Sequence, residues 1–204
     1  MANFQHIAIA RTDGIGDVIL TLPLAVVLKN HFPGCKISFI GKTYTQSIIE
    51  ACEYVDDFID VANLDEVLLS RYIPDAIFHV FPDINVMRWA KKTGIPKRIG
   101  TMKRWSSLGN INSPLFFSRK KSDLHEAQLN LKMLSAIGLD HAFSVKEIGK
   151  MVTLKPQSVQ FNHVPPPTSK TIVLHPLSHG SALEWPKERF AELANIFIQQ
   201  GLEV

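Results

Sequence analysis

Short apolar runs alternate with segments of helical period through the first half of the chain, and no other feature limits the fold as strongly. "HIAIA", His6 to Ala10, reads as a buried strand. "DVILTLPLAVVLKNHF" then carries apolar side chains at Val18, Leu22, Ala25, Val26 and from Leu28 to Phe32, the spacing of a helix, with Pro23 placed to kink or divide it. "CKISFIG", "DDFIDV", "PDAIFHVF" and "RIGT" read as further strands, and "TYTQSIIEAC", "DEVLLSRY" and "INVMRWAKKTG" as the helices between them. Strands joined by helical crossovers lie parallel in one sheet, with helices over both faces. The expected fold class is therefore α/β: a doubly wound, Rossmann-like parallel sheet over residues 1–150.

"SDLHEAQLNLKMLSAIGL" follows as an amphipathic helix with Leu124, Leu129, Leu131, Met133, Leu134 and Ile137 on its apolar side, closed by Gly138. Residues 151–170 lose helical period and contain Pro165, Pro166 and Pro167 in a row, which suits an extended linker. A fresh buried strand, "TIVLHP", a polar loop, "LSHGSALEWP", and a helix, "KERFAELANIFIQQG", come next, and "LEV" resembles the opening of another strand. Residues 171–204 thus read as the start of a second Rossmann-like domain, incomplete here, and the chain as part of a longer two-domain protein.

Composition narrows the class. Hydrophobic residues make up 46% of the 204 and charged residues 20%, as in ordinary packed proteins, which argues against disorder or a coiled coil. Cys35 and Cys52 show no CxxC or Cys/His spacing for zinc and suit a reduced, cytoplasmic protein. No apolar run reaches the ~18 residues of a membrane span, so any membrane contact is expected to be peripheral, at the cytoplasmic face. The net charge is only +3, yet "KKTGIPKRIGTMKRW" and "SRKK" concentrate basic residues between Lys91 and Lys121. That stretch is either a solvated face or a site for phosphate, acidic sugar or anionic headgroups. Trp89, Trp105 and Trp185 read as packing residues, and the absence of interleaved basic and aromatic residues speaks against nucleic acid as a partner.

The turn after the first strand, "TDGIGD", has the outline of a phosphate loop. A dinucleotide fingerprint needs a third glycine and an acid at the end of the second strand. Ile19 holds the third glycine's place and the second strand runs into "FIGKTY", so both requirements fail. Asp17 falls at or beside the expected helix N-cap, where Asp is a favoured cap. Capping alone is one account of it; chemistry of its own is the other.

"RTDGIGDVILTLPLAVVLKNHFP", "GIPKRIGT" with the basic stretch and "LHEAQLNLKMLSAIGL" after it, and "IVLHPLSHGSALEWPKERFAELANIFIQQGLEV" together resemble, in order, the motifs of the bacterial lipopolysaccharide heptosyltransferase family, glycosyltransferase family 9. The resemblance implies a GT-B architecture, an N-terminal acceptor domain facing a C-terminal nucleotide-sugar domain. It implies inverting transfer of a heptose, typically from ADP-heptose, to the lipopolysaccharide core without a catalytic metal or other cofactor. By the same resemblance Asp17 is the general base; Gly14, Gly16, Arg98, Lys103, Arg104 and His125 line the acceptor side; and Ser178, His179, Gly180 and Ser181 hold the donor nucleotide. Leu183 and Glu184 stand where many members carry a basic residue before the Trp-Pro pair. The 204-residue chain itself is expected to be inactive for want of a complete donor domain. The second reading is a GT-B-fold binding or regulatory module without turnover.

Overall fold

The computed structural model describes residues 3–64, 73–102, 109–151, 154–155, 167–176 and 183–204. The chain divides into two compact units, Met1–Gln157 and Ser158–Val204.

In the first unit six strands form one parallel sheet: β1 (His6–Ala10), β2 (Lys36–Gly41), β3 (Asp57–Asp60), β4 (Ala76–His79), β5 (Lys97–Thr101) and β6 (Ser113–Leu115). Their spatial order is β3-β2-β1-β4-β5-β6. β1 is central, with Ile7 beside Ile37 on one flank and Ala76 on the other, and Ile7 to Ala10 are buried. An interior parallel strand is covered on both faces, which is why "HIAIA" is apolar without a break.

Successive side chains divide between two cores. Ile7, Ile9, Ile37, Phe39, Phe78 and Ile99 enter the larger one, beneath α1 (Ile15–Ile19), α2 (Leu22–His31), α3 (Gln46–Glu50) and α5 (Glu126–Leu131). Ala8, Ala10, Ile40 and Ile77 meet Val86, Ala90 and Ile95 in the smaller, where α4 (Ile84–Lys92) packs.

The helical segment after the first turn is divided into two helices, as Pro23 led one to expect. α1 ends at Ile19 with Leu20 as its C-cap, Thr21 holds the N-cap position of α2 but turns its hydroxyl to the Asp17 carbonyl, and Pro23 stands in the first turn of α2, where a missing N–H costs little. The segment expected as one helix from residue 122 begins only at Glu126, because His125 caps it, and continues as a 3₁₀ helix over Lys132–Ile137 to Gly138 at φ 83°. β6, a three-residue edge strand with Pro114 at its centre, was not expected from the sequence. The helix expected over 65–72 lies outside the described residues. Leu154 bridges Cys52, and the Lys155 N–H donates to the Ala51 carbonyl at 2.8 Å, so the first unit includes residues read as linker.

In the second unit, "TIVLHP" forms a single bridge, Thr171 beside Glu203, in place of the expected buried strand. Val173 is largely exposed, because one neighbouring residue cannot cover a strand. The helix after it, α7 (Lys187–Gln199), matches the expected segment and ends before Gly201 at φ 79°. One short helix of the first unit, α6 (Val145–Ile148), starts from a Ser144–Glu147 capping box. Among the described residues, no helix is long and apolar enough to cross a membrane.

Candidate active site

The strand order reverses between β1 and β4, and such a reversal opens a crevice at the carboxyl ends of the strands. The turn after β1 lies there. Arg11, the first residue past the strand, anchors its N–H on the Ile40 carbonyl at 3.0 Å, and its side chain is 6% exposed. Its guanidinium donates to three carboxylates: Nε to Asp13 Oδ1 at 2.6 Å, Nη2 to Asp17 Oδ1 at 2.8 Å and Nη1 to Glu126 Oε1 at 3.1 Å. Burial opposes its charge, but Asp13, Glu126 and Asp17 outweigh it, so Arg11 is held above its ordinary pKa.

A second guanidinium backs the first. Arg119 Nη1 donates to Glu126 Oε1 at 2.5 Å and to Asn130 Oδ1 at 2.7 Å. Burial pushes Arg119 down and Arg11 repels it, while Glu126 restores part of the loss. Two guanidiniums against three carboxylates leave the cluster one negative charge, and its most accessible member is Asp17. The Asp17 side chain is 42% exposed, with Oδ1 held by Arg11. A Cβ on Gly14 would stand 3.4 Å from Asp17 Oδ2, so glycine there leaves room at the second oxygen.

Asp17 is not the cap that the sequence suggested. Gly14 is the N-cap of α1, and among the described residues no side chain caps its N–H groups; Asp17 sits inside the first turn and turns to Arg11 instead. Neither Gly14 nor Gly16 adopts the left-handed conformation, so the turn itself does not call for glycine. Across the crevice, Thr12 Oγ1 donates to Asp83 Oδ2 at 2.9 Å while Asp83 Oδ1 caps α4 through the Asn85 N–H at 2.9 Å. His79, the last residue of β4, is 2% exposed, and among the described residues neither ring nitrogen has a hydrogen-bond partner. Burial, then the charge of Arg98, pushes its pKa down to about 4, against a smaller pull from Asp83.

The other candidates fare differently. His125 caps α5: Nδ1 accepts from the Ala127 N–H at 3.3 Å, and Gln128 returns a bond to the His125 N–H at 2.9 Å. That capping sets the start of α5, from which Glu126 reaches Arg11. Arg98 lies within β5 and donates to the Asn110 and Ile95 carbonyls, each at 2.7 Å, pinning main chain on both sides. Lys103, Arg104, Ser178, His179, Gly180 and Ser181 lie outside the described residues. Among the described residues, no group of three or more His, Cys, Asp and Glu side chains is placed to hold a metal ion. Arg11, Arg119 and Asn130 escaped the sequence reading. An arginine directly after a buried strand was the available signal for the first; the other two were hidden in a charge run and a helix face.

The six-stranded parallel sheet with its flanking helices is an α/β fold, and it matches the solved structures of GT-B glycosyltransferases. Its structural neighbours include a family 9 glycosyl transferase and two heptosyltransferases. The first is the glycosyl transferase family 9 protein of Veillonella parvula, at TM-score 0.73 and 21% identity over 97% of this chain and 60% of that one. The ADP-heptose lipopolysaccharide heptosyltransferase II of E. coli matches at TM-score 0.71 and 16% identity, over 96% of this chain and 62% of its own. E. coli heptosyltransferase WaaC, solved with ADP, matches at TM-score 0.67 and 16% identity, over 97% and 66%. At such identities the likeness is one of fold. In sequence, the chain is 25% identical over 205 aligned positions to the Haemophilus influenzae protein named "Putative glycosyltransferase", covering 93% of this chain. It spans 59% of that relative's length. No protein-family model matches the chain.

Proposed function

We propose that this chain serves an inverting glycosyltransferase that moves a heptose or related sugar from a nucleotide-sugar to a lipopolysaccharide-core hydroxyl, contributing its acceptor side and residues of its donor side. The observation that carries the reading is Asp17: a carboxylate at the switch-point crevice, one oxygen fixed by a buried arginine and the side chain still 42% exposed. Two solved neighbours support the choice of sugar, one an ADP-heptose heptosyltransferase and the other a heptosyltransferase solved with ADP.

An acceptor hydroxyl is a weak nucleophile at neutral pH, and a carboxylate within hydrogen-bond reach corrects that by taking its proton. In the proposed step Asp17 accepts the proton as the acceptor oxygen forms its bond to the anomeric carbon. The bond from that carbon to the diphosphate oxygen breaks, and the nucleoside diphosphate leaves with the electron pair. Attack opposite the leaving group inverts the anomeric centre. Ser178, His179, Gly180 and Ser181 are proposed to receive the departing diphosphate, and Gly14, Gly16, Arg98, Lys103, Arg104 and His125 to serve the acceptor side. No metal is required in this scheme.

The test is a screen of sugar nucleotides with mass detection of product, using the gene product in which this chain occurs, repeated with Asp17→Asn. The variant is expected to lose about 10²- to 10⁴-fold in kcat, the usual contribution of a general base. Its stability should stay within about 1 kcal/mol, because Asp17 is well solvated and Arg11 keeps two other carboxylates. Transfer retained by the variant would remove Asp17 from the chemistry.

A further inference from the structure

The polar contacts around Asp17 close on themselves. From its carboxylate they run to Arg11, then Glu126, Arg119, Asn130 and Thr21, and Thr21 Oγ1 returns to the Asp17 main-chain carbonyl at 2.8 Å. Thr21 and Asn130 are fully buried and Arg11 nearly so. Of the side chains in the ring that carry charge, Asp17 is the most exposed.

α1 is five residues long, too short to hold its own shape, so the orientation of Asp17 has to come from tertiary ties. Asn130 supplies one. Its Nδ2 donates to the Leu20 carbonyl at 2.9 Å, where α1 ends, and to Thr21 Oγ1 at 3.2 Å. Glu126 supplies the other through Arg11. Glu126 and Asn130 are four residues apart and so share one face of α5, and Arg119 bonds both with a single nitrogen. The side chain and the main chain of Asp17 are therefore tied to the same face of α5.

We propose that Arg119 and Asn130 are positioning residues for Asp17, fixing its carboxylate and its backbone as one unit through Glu126–Arg11 on one side and Thr21 on the other. The proposal rests on the reading of Asp17 as the base for its catalytic consequence, though not for its structural one. A misplacement of about 1 Å can cost on the order of 100-fold in rate, so ties of this kind have leverage on turnover.

The experiment uses Arg119→Lys, which keeps the charge but loses the planar fork, Thr21→Val, which keeps the shape but loses the hydroxyl, Thr21→Ser, which restores the hydroxyl, and the Arg119→Lys/Thr21→Val double variant. In the gene product, Arg119→Lys and Thr21→Val are each expected to lower kcat by about tenfold or more, with KM for donor and acceptor within about twofold, and Thr21→Ser to recover most of kcat. The double variant should fall short of the product of the single losses by more than about threefold, as coupled residues do. Multiplying losses, a raised KM at unchanged kcat, or no recovery with Thr21→Ser would overturn the proposal. Amide exchange in the 204-residue chain tests the ring without turnover. Protection at Val18 to Leu20 should drop about tenfold or more in Arg119→Lys and Thr21→Val while β1 is unchanged, as local opening predicts. Unaltered exchange over α1 overturns the proposal, and a wild-type protein that transfers no sugar but shows the exchange effect overturns the proposed function alone.

Discussion

Removing the guanidinium of Arg11 would leave Asp13, Asp17 and Glu126 converging on an uncharged, buried side chain. Arg11→Met is expected to cost about 3 kcal/mol, the loss typical of one partner taken from a buried ionic cluster, read from the urea midpoint. His79 makes a different prediction. Its folded pKa of about 4 lies below the ordinary 6.5, so between those values the unfolded chain binds the extra proton. The stabilisation is complete above about pH 6.5 and is lost as the pH falls toward 4, on the order of 3 kcal/mol in all. Urea titrations across that range should show a steeper acid loss in the wild type than in His79→Leu, and parallel curves would refute the assignment. Asp17 could be singled out in the sequence as an acid after two glycines near a helix start, while its proposed role came from the family resemblance alone. Arg11 could not, since what it does depends on Glu126, 115 positions away. The cap expected of Asp17 failed for the same reason: a buried guanidinium competes for the carboxylate more strongly than free N–H groups that water can satisfy.

The junction of β2 with α3 is tight. A Cβ at Gly41 would lie 2.8 Å from Ile49 Cδ1, 2.9 Å from Thr45 Oγ1 and 3.2 Å from a Phe58 ring carbon. Ile49 and Thr45 are fully buried and hemmed in, so Gly41→Ala should destabilise by about 1–3 kcal/mol, measurable by urea unfolding. The apolar runs that became β1, β2 and β4 could be read directly, because a buried parallel strand needs near-continuous hydrophobicity, whereas β5 was read from "RIGT", of which only Ile99 and Gly100 are buried. β6 could not, since a run this short has no period to detect. The start of α5 was also missed: apolar spacing continues upstream of Glu126, but the capping box between His125 and Gln128 sets the boundary, and it leaves Leu124 exposed.

At the scale of the molecule, every buried hydrophobic residue described lies at or before Ile148, and α7 of the second unit buries none. A helix of 13 residues is marginal in water without a packed face. In the 204-residue chain, the amides of α7 are therefore expected to exchange at least about 100-fold faster than those of β1, by hydrogen exchange with mass detection. Comparable protection in both would show that α7 has found a packing surface. The edges of the sheet carry another consequence. β3 offers only four residues, with Asp57 and Asp60 at its ends, and β6 offers three, with a proline lacking an N–H in the middle. Short, charged or proline-bearing margins are poor templates for a strand from another molecule. The sheet is thus protected from edge-to-edge aggregation at both sides, and a Pro114→Val substitution, which returns an N–H and a β-branched side chain to one margin, removes that protection there.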